Sequence, residues 1–290
     1  MKKILAIGIA TLDIVNTVEE YPAENDEVRA SAQRFCRGGN AANTLVVLRQ
    51  LGYHCDWLGV LANDANSQYI TEDFDHYQVN YKLAPTHACG NTPTSYVTLN
   101  RSNGSRTIVH YRDLPEYSFD AFNQIDLSDY DWVHFEGRHI HDTARMIKHV
   151  RAENPGVPIS VEIEKHRDNI EQLFPLPDYL IFSHDYAEKK GIDMAEELLL
   201  EAKQAAPNTH IVLTWGKTGA YALNVDGSLH HSIGFPPEKV VDTLGAGDTF
   251  NAGLIHALIQ QHDLGGAVIE ACKLAGQKCA IEGFKLNQLS

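Results

Sequence analysis

Residues 240–258, VVDTLGAGDTFNAGLIHAL, decide how the chain is read. A short apolar strand at Val240–Val241 runs into Gly245-Ala246-Gly247 and then directly into an amphipathic helix of about Asp248–Gln261. Glycines let backbone amides come close to a ligand, and the free amides and dipole of a helix start favour an anion, with phosphate the obvious candidate. Asp248 stands at that start, where dipole and amides are expected to keep its carboxylate ionised and able to accept a proton. An ordinary helix cap is the other reading of the same residue. Two rival motifs fail here. GAGDTF has Phe250 where a dinucleotide fingerprint needs its third glycine. Gly216–Thr218 resembles the end of a Walker A loop, but the glycine required five positions earlier is Ile211.

Outward from this segment, strand-like apolar runs alternate with helical patterns: KILAIGI, a helix of about 40–51, CDWLGV and a helix near 67–78. The rhythm resumes with DWVHFEG, a helix through Ile147, PISVEIE, DYLIFSH, a helix near 195–205, HIVLTW, and a closing helix of about 266–281. This predicts an α/β fold, a three-layer α/β/α sandwich with a mostly parallel central sheet, as one domain over 1–290. Segments 14–36 and 91–112 alternate apolar and polar at period two, as in TPTSYVTLN and SRTIVHYR around the turn RSNG. They are expected to form a small antiparallel sheet that acts as a lid over a site at the strand ends.

Bulk properties narrow the function. The chain has 290 residues, 43% hydrophobic and 21% charged, with no apolar run long enough to span a membrane. MKKILAIGIATLD has two lysines before an apolar stretch, but Thr11 and Asp13 interrupt it, so it reads as a buried strand rather than a signal peptide. The net charge of -14 argues against a nucleic-acid or anionic-membrane surface, so a bound polyanion would depend on backbone amides and helix starts. Five cysteines without a CxxC spacing suit reduced thiols in a cytoplasmic protein, with Cys272 and Cys279 read as small core residues on one helix face. Fifteen histidines, His139 and His141 among them, come with no HExxH or Cys/His pattern.

A second glycine segment, RGGNAANTLVVLRQLG at 37–52, sets Asn40 and Asn43 on one side of a first helical turn. Their amides offer both donors and acceptors, the mixture that sugar hydroxyls need, although an asparagine there can also simply cap. Asp13, just past the first strand in GIATLD, reads either as an acceptor for hydroxyls or as a turn former. LTWGKTGAYAL, at 213–223, is strand, glycine turn, strand, and by itself a plain hairpin.

DTLGAGD and RGGNAAN, about 200 residues apart, resemble the two signature segments of the ribokinase, or phosphofructokinase-B, family. The likeness to the ketohexokinase branch covers nearly the whole chain, through YPAENDEVRASAQRFCRGGNAAN, GSRTIVHYRDLPE, WVHFEGR, SVEIEKHR, FPPEKVVDTLGAGDTFNA and AGQKCAIEGF. The resemblance implies an ATP-dependent sugar kinase that phosphorylates the carbon-1 hydroxyl of a ketohexose such as fructose. Asp248 would be the base, and the amides of Gly245, Ala246 and Gly247 the anion hole. Asp13, Gly39, Asn40, Asn43 and Arg138 would hold the sugar. Trp215, Gly216, Gly219, Gly245, Gly247 and Cys279 would contact the nucleotide, and Arg106 would reach its phosphates. Mg²⁺ would accompany ATP, and potassium would stand beside the anion hole. A kinase for ribose, another ketose or a nucleoside, or a weakly catalytic sensor, are the alternatives.

Two departures mark the resemblance. The Asn-x-x-Glu motif that organises the magnesium water shell in many members is replaced by SHDYA at 183–187, which leaves Glu162 and Glu164 as substitutes acting through water. In the ketohexokinase branch an acidic residue from one subunit's lid enters the partner's sugar site, and here Asn25 stands at that position with Asp26 beside it. A homodimer through the lids is expected, because too few strands are present to bury Val97, Leu99, Ile108 and Tyr111.

Overall fold

The computed structural model describes residues 1–286; the expected domain end at 290 lies outside the described residues. Strands are β1 (Lys3–Ile7), β2 (Thr11–Val18), β3 (Ala32–Gly38), β4 (His54–Leu58), β5 (Leu61–Ala62), β6 (Thr86–His87), β7 (Thr94–Asn100), β8 (Arg106–Tyr111), β9 (Trp132–Glu136), β10 (Ile159–Ile163), β11 (Tyr179–Phe182), β12 (His210–Thr214), β13 (Ala220–Leu223) and β14 (Leu229–Ser232). Helices are α1 (Asn40–Gln50), α2 (Ala65–Tyr77), α3 (Phe119–Phe122), α4 (Ile140–Glu153), α5 (His184–Lys190), α6 (Ala195–Ala205), α7 (Ala246–Ile259) and α8 (Leu264–Lys278).

The main sheet runs β14-β13-β12-β11-β10-β9-β1-β4. From β12 to β4 every pair is parallel, and β13 and β14 add an antiparallel edge. Parallel strands covered on both faces read as continuous apolar runs, and β1 shows why. Leu5 and Ile7 enter the core packed by α4, α5 and α6, whereas Ile4 and Ala6 enter the one packed by α1, α2 and α7. The three expected layers are present.

A second sheet has the order β3-β2-β7-β8. Its outer pairs are antiparallel, as the alternation predicts, but the central pair β2–β7 is parallel. The parallel seam has a topological cause. β2 continues from β1 and β7 arrives only after α2, so each half closes as its own hairpin and the halves meet side by side. Residues 19–31, inside the expected lid segment, form an exposed loop instead of strand. Val240 and Val241 are also not a strand; both are about half exposed in an irregular approach to α7. Cys272 is buried in α8 as expected, but Cys279 is only half buried and caps that helix.

A histidine is sealed in the core. His134, on β9, has no exposed surface; its Nδ1 lies 2.8 Å from Ser160 Oγ, which accepts from Trp132 Nε1 at 2.9 Å, and its Nε2 has no partner. Burial pushes the imidazole down to about 4. The unfolded chain takes up this proton near pH ~6.5, and the native state does so only near 4. Stability is therefore lost as pH falls through that window. Replacing His134 by Asn should flatten the fall in unfolding free energy between those limits by up to about 1.4 kcal/mol per pH unit. Urea titrations across the window measure it, and equal slopes in both proteins would refute the linkage.

Candidate active site

The chain turns that follow the parallel strands collect the candidate residues at one edge of the main sheet, the usual ligand edge of open α/β folds. α7 begins after Gly245, which holds φ at 79° and would drive any Cβ to 2.2 Å from the Phe284 ring. Asp248 lies in the first turn. Its side chain makes no capping bond; its Oδ2 accepts from Asn43 Nδ2 at 2.6 Å, while Thr44 Oγ1 donates to its main-chain oxygen at 3.2 Å. The cap reading of Asp248 is thereby excluded.

α1 begins after Gly39, whose φ of 100° and approach to Ile9 O, 2.1 Å from a would-be Cβ, admit only glycine. Neither asparagine caps this helix. Asn43 Oδ1 accepts from Arg37 Nη1 at 2.5 Å, so the amide is fixed with its nitrogen towards Asp248. Arg37 is fixed in turn by Asp73 at 2.6 Å. Asn40 Nδ2 donates to Glu162 Oε2 at 3.0 Å, and Asn251 Nδ2 donates to Glu162 Oε1 at 2.9 Å. Asp13 sits inside β2 rather than in a turn, and its Oδ1 accepts from Thr11 Oγ1 at 2.8 Å. In register, Ser95 and His110 share its face of the small sheet.

Four carboxyl groups, those of Asp13, Glu136, Glu162 and Asp248, are buried here. Burial raises all four pKa values. For Asp248 the Asn43 bond opposes the rise, while Glu164 and Glu136 add repulsion; for Glu162, Asp248 itself is the largest repulsive neighbour. Burial and like charge push Asp248 above the usual carboxylate range, against the expectation that the helix start keeps it ionised. Such mutual repulsion suits a divalent cation. No three acidic, histidine or cysteine side chains among the described residues converge to ligate one directly; Glu162 and Glu164 are the residues that would meet a magnesium water shell. Glu162 has both oxygens committed to amides, which leaves the more exposed Glu164, 3.7 Å from Lys165, freer to meet that shell.

Arg106, on β8, donates to Thr243 Oγ1 at 3.2 Å and so reaches the glycine loop from the small sheet. Trp215 leads into a 3₁₀ turn at Gly216–Thr218 between β12 and β13, with φ of 58° at Gly216 and 112° at Gly219. It is a hairpin with a tight glycine turn, and Trp215 N donates to Gly219 O at 2.7 Å. Cys279 O accepts from Val241 N at 2.8 Å, which ties the end of α8 to the glycine loop. Arg138 is committed to Glu116, with Nη2 to Oε1 at 2.8 Å, and lies 3.8 Å from Glu136. Arg112 joins the same carboxylate, and the two guanidiniums bring Glu116 down to about 2 against its burial.

Sequence reasoning missed Glu136, Asn251 and Arg37. Glu136 Oε1 accepts from Ala41 N at 2.8 Å and from Ile9 N at 3.3 Å, joining the starts of α1 and β2. A carboxylate ending an otherwise apolar strand, VHFEG, was the available signal.

A profile of pfkB family carbohydrate kinases matches residues 1–286. The chain is 39% identical to mouse ketohexokinase over 291 residues, covering 98% of each. It is 26% identical to the fructosamine kinase FrlD of Bacillus subtilis, covering 87% of this chain and 86% of that one. Among solved structures, Arabidopsis thaliana ribokinase complexed with ribose and ATP superposes with a TM-score of 0.79 at 19% identity, covering 98% of this chain and 94% of that one. A putative ribokinase from Agrobacterium tumefaciens reaches 0.86 at 21%, covering 97% and 92%. At those identities the structures show the fold.

Carboxyl-region infrared difference titration of the ligand-free protein should contain an Asp248 band, absent in Asp248→Asn, that deprotonates well above the usual ~4. In Asn43→Ala, which lacks the bond that favours the charged form, the band should titrate higher still. Ordinary titration of this carboxyl would contradict the electrostatic account.

Proposed function

The chain belongs to the pfkB family of carbohydrate kinases, and from that premise we propose that it transfers the γ-phosphoryl group of ATP to the carbon-1 hydroxyl of a ketohexose, D-fructose first among candidates. The observation that carries the reading is the Asn43–Asp248 bond, because it sets the candidate base of α7 against the candidate sugar-binding helix α1. The 39% identity to a ketohexokinase over nearly the whole chain supports the choice of sugar.

In this scheme Asp13, Gly39, Asn40 and Asn43 hold the sugar, with Glu136 and Arg138 beyond them. Asp248 takes the hydroxyl proton as the oxygen attacks phosphorus in line, and the bond to the bridging oxygen breaks to release ADP. The amides of Gly245, Ala246 and Gly247 receive the charge on the transferring group. Trp215, Gly216, Gly219 and Cys279 border the nucleotide, and Arg106 meets its phosphates. Family kinases use ATP with magnesium, which supplies charge neutralisation on the phosphates. A potassium ion beside the anion hole would stand near Asp242, which faces Lys278 and Arg34.

The reading takes residues 1–290 as one kinase domain with the small sheet, segments 14–36 and 91–112, as its lid. Five free cysteines support a cytoplasmic setting, and no helix among the described residues is long and apolar enough to cross a membrane. We also assign a homodimer through the lids. Val97 is not the contact, being only 2% exposed on the face shared with Asp13. The opposite face supports the assignment: Phe35, Tyr96 and Val109 form one row across the strands, exposed by 48%, 51% and 65%. Docking there would carry the Asn25–Asp26 loop towards a partner's sugar site.

With fructose, phosphorus NMR should show product phosphate on carbon 1, and Asp248→Asn should keep ATP binding while losing about 10² to 10⁴ in kcat. Phosphate on carbon 6, or preference for ribose, overturns the substrate. Near-normal turnover in the variant overturns the base. For the dimer, Tyr96→Asp combined with Val109→Asp should lower sedimentation mass to the monomer and weaken fructose binding. A wild-type monomer with full activity would refute the shared site.

A further inference from the structure

Lys278 closes α8 and has no exposed surface at all. A buried ammonium is costly unless paired, so its partner shows what it is for. It does not cap its own helix. Nζ crosses to the segment before α7, donating to Asp242 O at 2.8 Å and lying 3.4 Å from Asp242 Oδ2. The same carboxylate accepts from Arg34 Nη2 at 3.1 Å and Gly283 N at 3.2 Å, while Oδ1 accepts from Leu244 N at 2.9 Å. Despite burial, the Lys278 and Arg34 charges and these amides hold Asp242 below the usual carboxylate range.

Asp242 stands three residues before Gly245, and nothing in the transfer scheme uses either it or Lys278. Yet the chain between is short and bound at each step. Val241 N and Asp242 N donate to Cys279 O, Ala246 N donates to Thr243 O at 3.2 Å, and Gly245 lies against Phe284. Among the described residues, Lys278 is the one side chain that grips both the main chain and the carboxylate of Asp242. Arg34 brings β3 of the small sheet to the same carboxylate.

We propose that Lys278 is a positioning residue for phosphoryl transfer: its ammonium, clamped on the carbonyl and carboxylate of Asp242, fixes residues 242–247 so that the loop amides face the transferring group. The inference rests on the kinase reading above. Its charge acts from within the protein, where it needs no exchange with solvent, and it carries no substrate contact.

The test uses the full chain with Lys278→Met, Lys278→Arg, Asp242→Asn and the Asp242→Asn/Lys278→Met double variant, at fixed salt, with fructose and ATP. Lys278→Met should lose about 10- to 100-fold in kcat with the fructose KM within about threefold, and Lys278→Arg should recover part of the loss. The double variant should lose no more than the worse single one, because both act through one clamp. Should Lys278→Met not fold, the double variant leaves no unpaired buried charge and replaces it. Folded Lys278→Met or double variant with wild-type kcat overturns the proposal, as do losses that multiply or fall on fructose KM alone. A wild-type protein without fructose-dependent ATP turnover would instead overturn the kinase reading, so the two failures are distinct.

Discussion

The 2.6 Å bond from Asn43 to Asp248 joins the amino-terminal turns of two helices that lie 205 residues apart in sequence. For it to form, α1 and α7 must start at the same edge of the sheet, and both helices must be entered through glycine. Gly39 and Gly245 each hold a positive φ and each abut another part of the chain closely enough to exclude a Cβ. Arg37 orients the amide, Asp73 anchors Arg37, and the bond can then present its nitrogen to the carboxylate. The core on that face, built from α1 and α7 over β1 and β4, keeps the two starts in register.

The same edge concentrates negative charge in a chain already at -14. Asp248 and Glu136 both repel Glu162, and asparagine amides donate to two of the three: Asn43 to Asp248, Asn40 and Asn251 to Glu162. Amides orient carboxylates without neutralising them, so these buried carboxyls keep their protons more tightly than exposed ones would. Cationic charge placed beside such carboxyls lowers their pKa values, and further negative charge raises them. Exposed Arg106 and half-buried Arg34 reach the loop from the small sheet, which places positive charge beside it.

Much of this was legible in the sequence, and the parts that were not share a cause. The alternation of apolar runs and helical patterns located α1, α6, α7 and the parallel strands of the main sheet, because burial on both faces leaves a legible trace. Gly39, Asn43, Asp13 and Asp248 stood out because helix starts and strand ends have local signatures. Glu136 and Asn251 did not, since each sits in an apolar element and acquires meaning only from partners far along the chain, Ala41 and Glu162. The parallel seam between β2 and β7 was hidden for the same reason. Period-two alternation says that a strand has two faces and nothing about the direction of its neighbour. Val97 was misassigned to the surface on that ambiguity, as its row faces the site and Tyr96 marks the outside.

That seam also bears on how the molecule is assembled. β2 and β3 close their hairpin with the first forty residues, yet β2 keeps an unpaired edge until β7 arrives at Thr94, after α1, β4 and α2 have been placed. Parallel pairing across so long a stretch has a high contact order, and the closure entropy is lost before the ladder repays it. The small sheet is therefore completed late and only on the scaffold of the main sheet, so it cannot be excised, or moved to another protein, as one continuous piece of chain. During synthesis, the open edge of β2 is the stretch with most need of a temporary partner.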